Sequence, residues 1–124
     1  MICNKYKYMT VKDASENIVR DSNWKLWLFQ FMDDFRRNPK PEMVVTGPVS
    51  DTPEGLKCLF AATVYYLCNE KAVDVPEWVF STKPLREPWF VSGLESMKTF
   101  AIVESPLFFK KLNVFVTDNF MVRV

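Results

Sequence analysis

Apolar positions recur at helical spacing in two long stretches of the chain. In residues 24–37 every third or fourth side chain is apolar, which is typical of a helix with one buried face. These side chains are Trp24, Trp27, Leu28, Phe31, Met32 and Phe35. In residues 54–68 the inner stripe is Leu56, Leu59, Phe60, Thr63, Val64 and Leu67. Further apolar residues surround this second stripe, so it predicts a central helix that is covered on most sides.

Short polar motifs predict where the first helices begin and end. Asp13 with Glu16 has the form of a capping box and predicts a short helix over residues 14–20. The prolines in residues 38–41 end the helix before them, because proline lacks an amide donor and disfavours helical angles in its predecessor. Residues 51–54 combine a capping side chain, a proline and an acid, which together predict the start of the central helix.

The second half of the chain is less regular. Residues 42–50 are predicted to be a loop, and residues 73–88 contain three prolines among large aromatic side chains, which is typical of an irregular segment that packs on helices. Apolar spacing predicts a helix over residues 94–103. Ser105 with the following proline predicts a second short helix that ends near residue 111.

The chain closes with two β-rich runs, residues 113–116 and 120–124, on either side of a polar turn. Alternating apolar and polar positions there predict a terminal hairpin. The predicted fold class is therefore mainly α, a compact helical domain with a small C-terminal β-hairpin (α+β). We expect one domain over residues 1–124, made of an N-terminal extension 1–12, a helical core 13–112 and the hairpin 113–124.

Composition narrows the function classes. The 124 residues include 16 basic and 15 acidic side chains, so no strong uniform field attracts the protein to nucleic acid or to an anionic membrane. No apolar run approaches the ~20 residues that span a bilayer, and the N-terminus lacks the apolar centre of a signal peptide. These features predict a cytoplasmic protein without a membrane partner.

The chain offers little for catalysis. It has no histidine, and its three glycines stand far apart, which removes the usual general base and glycine-rich phosphate loops. We expect no enzymatic activity, no cofactor and no metal. Cys3, Cys58 and Cys68 are interpreted as small packing residues. Asp33 and Asp34 point about 100° apart on one helix, so a solvated polar face that interacts with the helix dipole or forms salt bridges is favoured over a metal or acid–base site.

Two kinds of segment are candidates for binding. Residues 86–90 place a charged pair and a proline before two large aromatics, which suits a recognition loop or, alternatively, a structural plug. Basic residues beside aromatics are weaker candidates for contacts with nucleic acid. They are Arg36, Arg37 and Lys40, and Lys110 and Lys111 near Arg123, beside Phe108, Phe109 and Phe115.

Four motifs, taken in order, carry a family resemblance. They are Asp33-Asp34-Phe35-Arg36-Arg37, Val75-Pro76-Glu77-Trp78-Val79, Glu87-Pro88-Trp89-Phe90 and Glu104-Ser105-Pro106-x-x-Phe109-x-x-x-Asn113-Val114-Phe115-Val116. With these motifs the chain resembles a small bacterial domain that follows a helix-turn-helix in transcriptional regulators. Relatives of that domain are antitoxin-like partners of nucleotidyltransferase-type toxins.

The resemblance implies a docking surface rather than catalytic residues. Its candidate partner-binding residues are Arg86, Glu87, Trp89, Glu104 and Asn113. Glu104 also has a structural interpretation, as an acid near the start of the next helix. No helix-turn-helix fits before residue 13, so operator binding by this chain alone is not expected.

The expected function is a non-enzymatic protein-interaction or regulatory module, antitoxin-like, that binds a protein partner, which on the resemblance is a nucleotidyltransferase-like toxin. This hypothesis places the partner on the aromatic loop, residues 86–90, and on the C-terminal hairpin, and it predicts an exposed apolar patch. An open edge at residues 120–124 would also allow pairing with a second copy. The alternative is a nucleic-acid-associated regulator that lacks its own helix-turn-helix. It predicts that one face gathers Arg36, Arg37, Lys40, Lys98, Lys110 and Lys111. An enzyme would need its scattered carboxylates to converge in one pocket, and it ranks last.

Overall fold

The fold is mainly helical with a small β element, as the sequence predicts. The computed structural model describes residues 8–91, 101–102, 105–117 and 120–121. The helices are α1 (Val11–Asp21), α2 (Trp24–Arg37), the 3-10 turn Pro41–Met43, α3 (Glu54–Lys71), α4 (Glu77–Ser81) and α5 (Leu107–Lys111). The strands are β1 (Trp89–Phe90) and β2 (Val114–Phe115).

Helix α1 begins earlier than the capping motif at Asp13 predicts. Its cap is Thr10, whose hydroxyl accepts from the Asp13 backbone N–H at 3.0 Å, while Asp13 Oδ2 accepts from the Thr10 N–H at 3.4 Å. The chain therefore contains two overlapping capping boxes, and it uses the first. That choice brings Val11 into the helix, where it is fully buried together with Ala14.

Helices α2 and α3 form the centre of the fold. The predicted bounds of α2 are confirmed, and Leu28, Phe31, Met32 and Phe35 line its buried face. Helix α3 contacts α2, α4, α5 and β2, which confirms it as the central helix. Its first turn follows Pro53 without any side-chain cap, so neither side chain of the predicted pair at 51 and 52 fills that role.

The segment predicted to be irregular contains the short helix α4. The Trp78 indole N–H donates to the Val44 carbonyl at 2.7 Å, which ties α4 to the loop after the 3-10 turn. A Cβ on Gly47 would lie 3.0 Å from the Trp78 ring, so glycine makes this close approach possible. Val79 is fully buried, and its neighbour Phe80, about 100° further around the helix, faces outward.

The β element is a parallel pair rather than a hairpin. Trp89 and Phe90 pair with Val114 and Phe115, and the Trp89 N–H donates to the Asn113 carbonyl at 3.1 Å. Asn113 has φ 66°, a left-handed conformation that asparagine tolerates and that turns the chain from α5 into β2.

Two other predicted elements lie largely outside the described residues. Phe120 and Met121 belong to no strand, and residues 122–124 are outside the described residues, so the second strand of the predicted hairpin is not observed in the described part. Of the helix predicted over residues 94–103, only Ala101 and Ile102 are described, and both are helical.

Candidate functional site

Two large apolar side chains are exposed beside the C-terminal half of α3. Phe80 in α4 retains 60% of its surface and Leu107 in α5 retains 76%. Both line a cleft of about 430 Å³, together with Tyr65 and Phe108. We call Tyr65, Phe80, Leu107 and Phe108 the apolar platform.

Ring stacking fixes the shape of the apolar platform. The rings of Tyr65 and Phe108 lie parallel, with 4.3 Å between their centroids and 8° between their planes. Phe80 stands edge-on to both, at 6.1 Å from Tyr65 and 6.2 Å from Phe108. Such aromatic pairs add stability beyond simple burial. The platform is therefore an ordered surface, although Phe80 remains largely in solvent.

Tyr66 anchors α5 against α3 beneath this surface. Its hydroxyl oxygen accepts a hydrogen bond from the Phe108 backbone N–H at 2.9 Å, and its ring stacks on Phe109 at 5.6 Å. Because α5 has only five residues, this tertiary contact matters more for its position than its own helix propensity. The side chain of Leu107 is thus presented from a held backbone.

A second cleft lies next to the first on α3. It has a volume of about 440 Å³, and Pro106 and Met121 line its far side. Both clefts share Tyr66 and Asn69. The C-terminal half of α3 therefore forms the floor of an extended depression rather than of one isolated pocket.

Charges at the rim of the apolar platform are unbalanced. Lys110 and Lys111 are exposed, and the Lys111 ammonium lies 5.8 Å from the centre of the Phe108 ring. Neither lysine has an ion-pair partner within the part of the chain that the structure describes. Glu70, the nearby carboxylate, forms a two-point ion pair with Arg36 at 2.9 and 3.0 Å. Its charge is therefore already compensated, which leaves Lys111 as the uncompensated charge among the described residues that line the two clefts.

The five predicted partner-binding residues do not share one kind of environment. Arg86 and Glu87 are exposed in the turn before β1, whereas Trp89 is half-buried. The Trp89 ring packs edge-on to Trp24 at 5.8 Å, and a Cβ on Gly55 would lie 3.1 Å from it, closer than ordinary van der Waals contact. These contacts match the structural-plug interpretation of residues 86–90 for Trp89.

Asn113 and Glu104 complete that predicted set. The Asn113 side chain donates to the Leu85 carbonyl at 3.1 Å and so holds the chain that leads into β1. Glu104 lies outside the described residues. A role of these five residues in partner binding stays a prediction.

The basic residues of the nucleic-acid alternative are partly occupied by other groups. Arg36 is bound to Glu70, and Arg37 lies 3.3 Å from Asp34. The Lys40 ammonium lies 6.0 Å from the centre of the Tyr8 ring, which precedes α1. Lys98 and Arg123 lie outside the described residues. Pairing with carboxylates lowers the positive charge that the two arginines present to a phosphate backbone.

Asp34 forms an ion pair with Arg37, one of the contacts expected of this face, but it is buried rather than solvated. Its side chain is buried and accepts hydrogen bonds from the Met9 backbone N–H at 2.8 Å and from the Gln30 amide at 3.0 Å. Together with the Arg37 contact, these bonds make Asp34 a tie between α2 and the residues that precede α1. Among the residues that the structure describes, no three acidic or sulfur side chains are grouped as metal ligands.

Cys58 and Cys68 are buried, free thiols. Removal from solvent raises the pKa of both to about 11, with smaller contributions from Glu54 for Cys58 and from Asp74 for Cys68. The Cys58 thiol also donates to the Lys83 carbonyl at 3.1 Å. Their burial agrees with the packing role that the sequence predicts, since a nucleophilic cysteine needs a lowered pKa.

Sequence reasoning missed Phe80 and Leu107. Their exposure depends on which neighbours cover them. Both stand in runs of consecutive apolar residues, 78–80 and 107–109, and composition alone does not show which member of such a run lies outermost. One usable clue existed: Val79 and Phe80 are adjacent in a short helix, so only one of them can face the core.

No protein-family model matches this chain, and no curated protein and no solved structure is detectably similar to it. Within the described residues, none of the helices has both the length and the apolar character needed to cross a membrane.

Proposed function

We propose that this chain is a non-enzymatic protein-interaction module, and that the apolar platform is the surface that binds its partner. The observation that supports the proposal is the joint exposure of Phe80 and Leu107 on one ordered cleft. Contiguous exposed apolar surface of this kind marks interaction sites in soluble proteins. Aromatic side chains in such a surface supply much of the binding energy of an interface.

The chemistry around the platform favours a protein over a small molecule. A ligand pocket typically combines apolar walls with a few converging polar groups that fix orientation. Here three of the polar groups that line the clefts already have partners within the chain. The Tyr66 hydroxyl accepts from the Phe108 N–H, and the Asn69 amide donates to the Tyr65 carbonyl. Glu70 is engaged by Arg36. The protruding Leu107 adds aliphatic surface that a partner's side chains can cover.

The family resemblance supplies a more specific expectation. It makes the module antitoxin-like or regulatory, and it makes a nucleotidyltransferase-type toxin the partner to look for first. The competing function, a nucleic-acid-associated regulator, requires several free cations on one face. The carboxylate contacts of Arg36 and Arg37 weigh against it.

Affinity purification from the native cell tests this proposal, with the lysate treated with nuclease. The wild-type chain is compared with Phe80→Ser/Leu107→Ser and with the control Leu26→Ser/Val45→Ser. The control removes two apolar side chains that are also exposed but lie in α2 and in the loop after Pro41–Met43. Because hot-spot side chains each contribute about 2 kcal/mol or more, we expect the platform variant to recover a stoichiometric protein at least about tenfold less well.

The wild type and the control should recover that protein equally. Loss of the partner in both variants would contradict the assignment of the surface. Recovery that requires intact nucleic acid would favour the alternative function, and a chain that recovers nothing would refute an obligate protein partner.

A further inference from the structure

The rim of the apolar platform is positive on one side. Lys110 and Lys111 end α5, and in the described chain no carboxylate pairs with either. Glu70 is held by Arg36 and lies 3.8 Å from Lys71. An incoming partner therefore meets apolar surface bordered by the uncompensated ammonium of Lys111, with exposed Lys110 next to it in the chain. Interfaces arrange their charges to be complementary.

The position of Lys111 links charge recognition to apolar recognition. Its ammonium lies 5.8 Å from the centre of the Phe108 ring, and that ring stacks on Tyr65 within the apolar platform. A carboxylate that meets Lys111 must therefore lie close to the side chain that covers the platform. On a helix, this proximity corresponds to residues three or four positions apart.

We infer that the platform binds an acidic amphipathic segment of a protein partner, with a large apolar side chain against Phe80 and Leu107 and with carboxylates against Lys110 and Lys111. The inference rests on the proposed function and names the chemistry of the partner. A phosphate backbone is the less favoured occupant. Arginine is the side chain best suited to phosphate, and Arg36 is already bound to Glu70. The aliphatic side chain of Leu107 also offers no ring face for a base to stack on.

A display library of random 16-residue peptides provides the test, panned on the full-length wild-type chain. We expect the selected peptides to share a large apolar residue with aspartate or glutamate within one helical turn. The affinity of the best peptide is then measured by fluorescence polarisation. Replacing its acids by the matching amides should weaken binding at least about tenfold. Added salt should weaken binding of the acidic peptide, because salt screens its contacts with the lysines.

Three variants separate the two parts of the site. Phe80→Ser/Leu107→Ser should abolish binding of the selected peptide, and Leu26→Ser/Val45→Ser should leave it unchanged. Lys110→Glu/Lys111→Glu should bind the acidic peptide at least about tenfold more weakly than the wild type. A new selection on this variant should yield basic peptides. All substituted side chains are exposed, and circular dichroism with a thermal melt checks that each variant is folded.

The outcomes distinguish this inference from the proposed function. Selection of neutral or basic peptides whose binding still requires Phe80 and Leu107 would overturn the inference of an acidic partner segment. The proposed function as an interaction module would then still hold. Peptides that bind all variants equally would overturn both. Binding of a 20-nucleotide single-stranded DNA that is lost in the lysine variant would favour nucleic acid. Self-association of the wild type alone, seen by analytical ultracentrifugation, would make a second copy the occupant.

Discussion

The core around α2 and the apolar platform use phenylalanine in opposite ways. Phe31 is completely buried and contacts the rings of Phe35 and Phe60 at 6.0 and 6.5 Å. Phe80 has ring contacts at similar distances, yet 60% of its surface is in solvent. The number of ring neighbours is alike, so what differs is whether the outer side of the ring is covered.

Polar groups show the same contrast. Asp34 is buried, and its oxygens receive donors from the backbone, from Gln30 and from Arg37. Lys110 and Lys111 stay in water beside the platform. Covered apolar surface contributes about 25 cal/mol per Å² to folding, and uncovered surface leaves that free energy to be gained on binding. The core thus accounts for most of the stability of the fold, and the exposed platform side chains Phe80 and Leu107 contribute little to it.

The largest expected effect comes from breaking this contrast at its two phenylalanines. Phe31→Ala removes a fully buried ring and should lower the free energy of unfolding by about 3–5 kcal/mol. Phe80→Ala loses only edge contacts and should cost about 1 kcal/mol or less. Urea denaturation followed by circular dichroism measures both. Equal losses in the two variants would mean that Phe80 belongs to the core and would remove the basis for a docking surface.

A smaller effect is expected at the buried carboxylate. Asp34→Asn places an amide donor where one of the two oxygens accepts, so either the Met9 N–H or the Gln30 amide loses its acceptor. An unsatisfied buried group costs about 1–3 kcal/mol, and we expect a loss of unfolding free energy in that range. Asp51→Asn makes the same chemical change at an exposed position without a helix-capping contact.

Asp51→Asn should stay within about 0.5 kcal/mol of the wild type. Chemical denaturation compares the two variants directly. Equal stabilities of the two variants would contradict the burial of Asp34 and its hydrogen bonds to Met9 and Gln30.

The sequence predicted what depends on local spacing. The apolar period of α2 and the prolines after it predicted the bounds of this helix, and the crowded apolar pattern of α3 identified the central helix. Prediction from the sequence failed where contacts between residues far apart in the chain decide the structure. The strand at Val114 pairs with residues 25 positions earlier in the chain, which no alternation pattern within residues 113–124 indicates. The burial of Asp34 requires the Met9 backbone, and the exposure of Phe80 follows from the burial of Val79.

The smallest expected effect is at a surface carboxylate, which sharpens the comparison with Asp34. The pKa of Asp21 lies below its ordinary value, chiefly because Oδ1 accepts the Asn23 backbone N–H at 3.0 Å, with help from the Trp27 indole at 2.9 Å and from Arg20. A lowered pKa means that the ionised form stabilises the folded state. This stabilisation is complete above the unfolded pKa and is lost as pH falls through the folded pKa.

Asp21→Asn should therefore melt slightly below the wild type at about pH 7, and the difference should shrink as the pH falls through the folded pKa of Asp21, below which Asp21 is protonated in both states. Trp27→Phe removes one donor and should raise the Asp21 pKa part of the way, because the Asn23 N–H remains. Carboxyl chemical shifts followed by NMR during an acid titration report that pKa directly. An Asp21 pKa that is the same in Trp27→Phe and in the wild type would show that the indole bond does not hold the carboxylate in solution. The end of α1 would then resemble the platform rim, where charges face water without a fixed partner.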